Sequence, residues 1–416
     1  MLISRAHGPD VRVEKEAHTL ALAGYQMHVI AWDREGRHPV HTIEHTPGSL
    51  SAALADWSNQ PATAPTSVVV THIQVQAGYQ TGRRLLRTLP VFWWRAFQEL
   101  RRFQPDIVHA HDLDTLPVGM AYGRLARCPV IYDAREYYPG MVRDNVGSWL
   151  TRGLERLDRW LTPRTDAVVT VGERLAARFR LMGGSVWVVH NSQPLPDHAK
   201  LDQRARVLRE EWGIPEGALV VVYVGWLNPD RLLLPLVDAV RQIPDVWLII
   251  GGDGPQKVDL QRAAQNCERI RLLSWVPLHE VPEVVAAGDV VYYGLNARNP
   301  NSQYFMPNLG FYALGVGRPL LVTPVGEIAA VVQRERCGLV LVDATPEAAL
   351  KALRQLRNTP VRLALARQAQ RLGRSRFHWG RAADTLLQLY TCLSGVKNCH
   401  NSEEFRTNFT DENRYS

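Results

Sequence analysis

Asp106-Ile107-Val108-His109-Ala110-His111-Asp112 decides how this chain is read. It has the look of a short strand buried on both faces, and it ends on two histidines and a carboxylate. Polar groups at the exit of a parallel strand lie at the mouth of an α/β sheet, where open sheets of this class bind ligands. The next apolar run, Pro129-Val130-Ile131-Tyr132-Asp133, also ends in charge, with Asp133, Arg135 and Glu136. Two neighbouring strands that both deliver polar residues at their exits predict a ligand cleft.

Outward from these strands, helical and extended patterns alternate. The first half reads as a stub of strand at 1–4, then a helix over 11–23. Val13, Ala17, Leu20 and Ala21 mark that helix by their spacing, and Gly24 stops it. Strands at 27–32 and 66–75 follow, then a helix at 89–103 and the strand at 106–109. A helix at 114–126, a strand at 129–133, a helix at 149–162, a strand at 167–171, a helix at 173–182 and a strand at 186–189 complete it.

The polar, proline-containing stretch 191–217 reads as a boundary. A second alternation begins with strand 219–224 and helix 231–242, continues through strand 246–250 and helix 308–316, and ends in helices up to 393. This pattern predicts an α/β protein with mostly parallel sheets covered on both faces. The expected division is a first domain over 1–192, a linker over 193–217 and a second domain over 218–378. A disordered tail is expected over 394–416.

At 416 residues the chain is long enough for two domains. Its formal charge of +7 favours anionic partners: sugar nucleotides, phospholipid surfaces or nucleic acid. Nucleic acid is disfavoured, because the basic residues are dispersed and no recognised module is present. The five cysteines are scattered and lack metal-site spacing, so they read as reduced thiols of a cytoplasmic protein. No run is apolar enough to span a membrane. Arginines in 83–102 do interleave with Leu85, Leu86, Leu89, Phe92, Trp93, Phe97 and Leu100. That pattern suits peripheral contact with an anionic membrane at its inner face; the alternative is a core-packing helix with one solvated side.

The second half carries the expected phosphate chemistry. Gly225 closes strand 219–224, and Arg231 sits where the next helix should start. A glycine at a strand exit, a helix N-terminus and an arginine fork together suit an anion. Gly251-Gly252-Asp253-Gly254-Pro255 is either a plain turn or a ligand loop; it lacks the dinucleotide fingerprint. A helix starting at Pro307 or Asn308 would point free N–H groups at a diphosphate. Val325-Gly326-Glu327-Ile328 reads as a further loop at the same rim.

These stretches, taken in order, resemble glycosyltransferase family 4 and its group 1 relatives, enzymes of the GT-B fold. The resemblance covers most of 8–380. It rests on Asp10-Val11-Arg12-Val13-Glu14-Lys15-Glu16-Ala17, His109-Ala110-His111-Asp112-Leu113-Asp114 and Val130-Ile131-Tyr132-Asp133 in the first half. In the second half it rests on Tyr223-Val224-Gly225, Gly252-Asp253-Gly254-Pro255, Pro307-Asn308, Gly326-Glu327-Ile328 and Cys337-Gly338-Leu339. It implies two Rossmann-like domains facing across a cleft, with the segment 379–393 crossing back onto the first.

It further implies a sugar nucleotide on the second domain and a glycan, lipid-linked or small-molecule acceptor on the first. Transfer would be retaining, with neither metal nor cofactor. His111 falls where the family places the histidine that touches the donor sugar. Gly225, Arg231, Asp253, Asn308 and Glu327 fall on the donor side, and Asp10, Arg12, Asp112, Arg135 and Glu136 on the acceptor side. His109 is expected to pack against a neighbouring helix.

The chain also departs from that pattern. One of the two cations expected after the first strand of the second domain is missing. Arg135 stands where relatives often have histidine. The two glutamates that hold the donor sugar and the ribose align with Tyr304 and Tyr312. A phenol does not replace a carboxylate holding two ribose hydroxyls, a loss on the order of 1.5–3 kcal/mol. The alternative to an active transferase is therefore a catalytically weak homologue that binds glycans or scaffolds an active enzyme. A sugar-nucleotide epimerase on the same fold has no positive feature here.

Overall fold

The computed structural model describes residues 1–5, 11–46, 67–77 and 85–395. The first domain runs β1 (Leu2–Ile3), α1 (Val11–Leu22), β2 (Met27–Asp33), β3 (His41–His45) and β4 (Ser67–Gln74). It continues with α2 (Leu85–Phe103), β5 (Val108–His111), α3 (Leu116–Ala126), β6 (Val130–Ala134), α4 (Tyr138–Val146) and α5 (Ser148–Leu161). β7 (Ala167–Thr170), α6 (Glu173–Leu181) and β8 (Val186–Val188) finish it.

The strands form one sheet in the order β3-β4-β2-β1-β5-β6-β7-β8, parallel apart from the β3–β4 pair. Chain order reverses between β1 and β5, so the ligand-binding crevice of such a sheet opens beside the end of β5.

The strand expected at 106–109 lies two residues later. Its extent is set by pairing with β6, from Val108 opposite Val130 to His111 opposite Asp133. Both histidines are thus inside the strand and, two residues apart, on one face. Val108, Ala110, Val130 and Tyr132 point the other way, into a core with Phe92, Ala96 and Leu100 of α2, Leu116 of α3 and Leu161 of α5. Phe92 stacks on Trp32 with 4.8 Å between ring centroids.

In the second domain, α7 (His198–Glu211) is followed by β9 (Leu219–Val224), α8 (Leu233–Arg241), β10 (Val246–Gly251), α9 (Lys257–Ala264) and β11 (Ile270–Leu273). Then come α10 (Val281–Ala287), β12 (Val290–Tyr293), α11 (Asn308–Val316), β13 (Leu320–Val322) and α12 (Gly326–Glu335). β14 (Gly338–Val340), α13 (Pro346–Leu356), α14 (Thr359–Ser375) and α15 (Trp379–Ser394) complete the described chain. The sheet order is β11-β10-β9-β12-β13-β14, all parallel. This is the doubly wound order, with its switch point between β9 and β12.

Three expectations need correction here. The stretch 193–217 contains α7: Asp197 accepts from the Ala199 and Lys200 N–H groups to start it, and Leu201, Ala205 and Leu208 join the second core. The residues 325–328, read as a loop, open α12 at Gly326, whose φ of +87° only glycine adopts without strain. The helix expected from 231 is a 3-10 turn over Pro229–Arg231 followed by α8. The expected tail lies outside the described residues beyond 395.

The chain crosses between domains twice, and the crossings touch: Gln193 bridges His378, and the Gln193 carbonyl accepts from Trp379 N–H at 2.9 Å. α15 then packs on α1 of the first domain. Trp379 Nε1 donates to Thr19 Oγ1 at 2.9 Å, and Leu386, Leu389 and Tyr390 join Val13, Ala17 and Leu20 in one apolar layer.

Candidate active site

α1 carries Arg12, Lys15 and Glu16 at three- and four-residue spacing, which places them on one face. That face meets the histidine side of β5 and β6. Arg12 donates to both oxygens of Asp133, at 2.9 and 3.2 Å, and its Nε also lies 2.9 Å from Glu16 Oε1. His111 Nδ1 lies 3.0 Å from Asp133 Oδ2, and its Nε2 lies 3.9 Å from Glu16 Oε2. The His111 ring stacks on His109, centroids 4.5 Å apart, and His109 Nδ1 lies 3.0 Å from the Tyr390 hydroxyl of α15. All six of these residues on α1, β5 and β6 are buried. His109 therefore packs against a helix, and that helix is the last among the described residues.

Electrostatics sets the charge states. Burial holds His111 at about 3, with His109 adding to the effect, so its imidazole is neutral. Burial alone would raise the Asp133 carboxyl; the Arg12 charge and contacts from both histidines overrule it and keep it ionised. Glu16, His109, His111 and Asp133 bring donor atoms within 4.8 Å of one another, a set a metal ion could use. Arg12 already stands between the two carboxylates and supplies their counter-charge. The same arginine donates to the Val189 carbonyl at 2.8 Å, and Lys15 donates to the Ser192 carbonyl. The cluster is thereby tied to the first interdomain crossing.

A second group lines the gap between domains. Asp112, at φ +67°, is paired with Arg135. Glu136 accepts from Asn301 Nδ2 at 2.8 Å, and Asn301 Oδ1 accepts from Tyr137 N–H at 3.0 Å. Burial raises the Glu136 carboxyl, Asp112 adds to the shift, and Asn301, Arg135 and Arg231 oppose it. Arg231 ends the 3-10 turn Pro229–Arg231 that follows the exit of β9. Its guanidinium lies over the rings of Tyr293 and Phe305, at 5.0 and 5.2 Å.

Around Arg231, the exits of β9 and β10 press together. A Cβ on Gly252 would stand 2.0 Å from the Gly225 carbonyl oxygen, and Gly252 has φ of +136°. Only glycine fits there. Asn308 opens α11, is exposed, and its side-chain oxygen accepts from Asn191 Nδ2 at 2.7 Å.

The remaining expected donor-side residues are placed otherwise. Glu327 accepts from the Glu173 and Arg174 N–H groups at 3.3 and 2.8 Å, so it caps α6 of the opposite domain. Tyr304 packs edge-on against Tyr137, centroids 5.6 Å apart. Tyr312 is buried in the second core. Asp253 is exposed and paired with Lys257. Arg12 lies in the buried cluster, and Asp10 lies outside the described residues. Sequence reading missed Glu16 and Asn301 as site residues and named Asp133 only as a charge at a strand exit. The Arg12-x-x-Lys15-Glu16 spacing was the available signal for the first.

Comparison with known proteins follows the same two-part division. Residues 7–192 match the glycosyl transferase 4-like domain, and residues 218–359 match glycosyl transferases group 1. The chain belongs to the family 4-like, group 1 glycosyltransferases. It is 22% identical over 310 residues to a sulfoquinovosyl transferase of Arabidopsis thaliana, covering 71% of this chain and 58% of that protein. It is 24% identical over 318 residues to a lipopolysaccharide core biosynthesis glycosyltransferase of Rhizobium meliloti, covering 74% of this chain and 81% of that protein.

Among solved structures, the Anabaena protein HepE in complex with UDP-glucose superposes with a TM-score of 0.66 at 17% identity. That superposition covers 95% of this chain and 99% of HepE. The likeness establishes the GT-B fold of this family for the present chain. Among the described residues no helix is long and apolar enough to cross a membrane.

Proposed function

We propose that this protein transfers a glycosyl group from a nucleoside-diphosphate sugar to a glycan, lipid-linked or small-molecule acceptor, retaining the anomeric configuration. Arg231 at the gap carries the reading. Its charge, the close-packed glycine exits and the start of α11 together suit a diphosphate whose charge grows as the sugar leaves. In the reaction the bond from the anomeric carbon to the phosphate oxygen breaks, and a bond to the acceptor hydroxyl oxygen forms. The hydroxyl proton leaves toward the departing diphosphate.

His111, expected to touch the sugar, is buried against Asp133 and Glu16 and would act from beneath the site by holding the end of β5, while Asp112, Arg135 and Glu136 would line the acceptor side. No metal enters this scheme: Arg231 supplies the cation. The described cysteines are free thiols, which suits action in the cytoplasm.

A second reading, a glycan-binding or scaffolding homologue with weak catalysis, is favoured by one set of observations. Tyr304, Tyr312 and Glu327 are all engaged in packing or domain contacts. A thermal-shift panel of sugar nucleotides, followed by assay of diphosphate release for wild type and His111→Ala, separates the two. The transferase reading expects stabilisation by one donor class and turnover lost in the variant. Stabilisation without turnover, unchanged by the substitution, supports the binding protein.

A further inference from the structure

The helices α2, α3 and α5 all pack on one face of the first sheet, sharing a single core, while α1 and α15 cover the other. α2 and α3 pack on each other there, and α5 joins the same core through Leu161. On α2 the buried stripe is Phe92, Ala96 and Leu100, which leaves Val91 and Trp94 outward, 42% and 63% exposed. On α5, Trp149 and Trp160 are 57% and 49% exposed, with Arg152, Arg156 and Arg159 between them. α3, lying between, presents Arg124 and Leu125, the latter 65% exposed.

The exposed charges on these helices are of one sign. Arg87, Arg101 and Arg102 of α2 are exposed as well. Carboxylates on these helices are withdrawn: Asp158 is buried, Glu99 is half-buried, and Glu155 is half-buried and accepts from the Tyr137 hydroxyl. Among the described residues none of these exposed arginines meets a carboxylate at ion-pair distance. Exposed tryptophans set among unneutralised arginines match an interface that is apolar a few ångströms deep and negative at its rim.

We propose that the outer faces of α2, α3 and α5 dock this protein on an anionic phospholipid bilayer, with Trp94, Trp149 and Trp160 at the headgroup level. The surface lies on the membrane and nothing in it spans one. The proposal does not depend on the donor reading, so failure of nucleotide binding would leave it standing.

Flotation of the full chain with vesicles tests it, comparing phosphatidylcholine alone with phosphatidylcholine carrying roughly one third phosphatidylglycerol. Binding is expected only to the anionic vesicles, and raising salt should weaken it. Each arginine near the surface contributes about fivefold, so Arg152→Gln with Arg156→Gln should lower partitioning on the order of 25-fold. Both positions are exposed, and an unchanged melting temperature would show that the variant folds. Trp94→Ser should reduce the blue shift of tryptophan emission on vesicle addition.

Equal binding to neutral and anionic vesicles, no binding at all, or unchanged partitioning in the double variant would each overturn the proposal. So would a wild-type dimer that the double variant dissolves, which would assign the surface to a second copy of the chain.

Discussion

Arg12 and Asp133, distant in sequence, form a two-point ion pair that is closed off from solvent. The pair sits beneath His111 and shares its arginine with Glu16 and with the Val189 carbonyl at the crossing between domains. One side chain therefore neutralises two buried carboxylates and holds the backbone where the chain leaves the first domain.

Removing Arg12 should be severe. Arg12→Met leaves Asp133 and Glu16 buried without a counter-charge, and breaking a buried pair in this way costs about 3–5 kcal/mol. Arg12→Lys keeps the charge but loses the fork, so a smaller loss is expected. Urea unfolding followed by circular dichroism measures both. A loss below about 1 kcal/mol for Arg12→Met would contradict the account.

Acid should destabilise the fold through its buried histidines. Burial holds His111 at about 3 and His28 and His190 at about 4, all below the usual value. Below pH 6.5 the unfolded chain takes up protons that the folded one refuses, so stability falls as pH drops from about 6.5 toward 4. Asp114 and Asp158, both raised to about 6 chiefly by burial, act in the opposite sense below pH 6 and offset part of the loss. His111→Asn should therefore lose less stability than wild type between pH 7 and pH 5. The comparison of melting temperatures at the two pH values checks this, and equal losses would contradict it.

Glu327 should govern how firmly the domains close. Its carboxylate takes two N–H groups at the start of α6, where the helix dipole also favours negative charge. Hydrogen bonds to a charged group of this kind contribute about 1.5–3 kcal/mol. Glu327→Ala is expected to open the gap, seen as a larger radius of gyration by small-angle scattering and faster proteolysis near 172–174. An unchanged radius and digestion pattern would show that other contacts hold the domains.

Tyr312 discriminates between a rebuilt donor pocket and a packed core. It is buried, and burial raises its phenol to about 12. A carboxylate placed there without a partner is costly, by several kcal/mol. Tyr312→Glu should lower the melting temperature and leave nucleotide affinity no better, while Tyr312→Phe should be tolerated. Tighter nucleotide binding in Tyr312→Glu would show that the position faces the ligand after all.

Much of the fold was legible because the repeating units are regular. Gly24 stops α1 with φ of +93°, and continuous apolar runs such as 219–224 announce strands buried on both faces. The missed elements lacked such signals. β3 is an edge strand whose side chains alternate between exposed and half-buried, and among the described residues it pairs with β4 alone. α4 begins with Pro139 and Gly140, which read as a turn. α12 opens on Gly326, which reads the same way.

The site was legible only in part, for a different reason. His111 beside a strand exit suggested ligand-facing chemistry, yet Arg12, Glu16 and Asp133 make it favourable to bury it together with His109. No local pattern says that α1 supplies that compensation to β5 and β6. The contacts across the gap from Asn301 and Glu327 are likewise long-range and leave no periodic trace.

Calorimetric titration of a nucleoside diphosphate into wild type and Arg231→Met tests the central claim most directly. The account predicts saturable binding to wild type and a loss of roughly 10- to 100-fold in the variant, as expected for one charged hydrogen-bonding partner of a phosphate. Equal affinity for the two proteins, or no heat of binding to wild type at millimolar ligand, would contradict it.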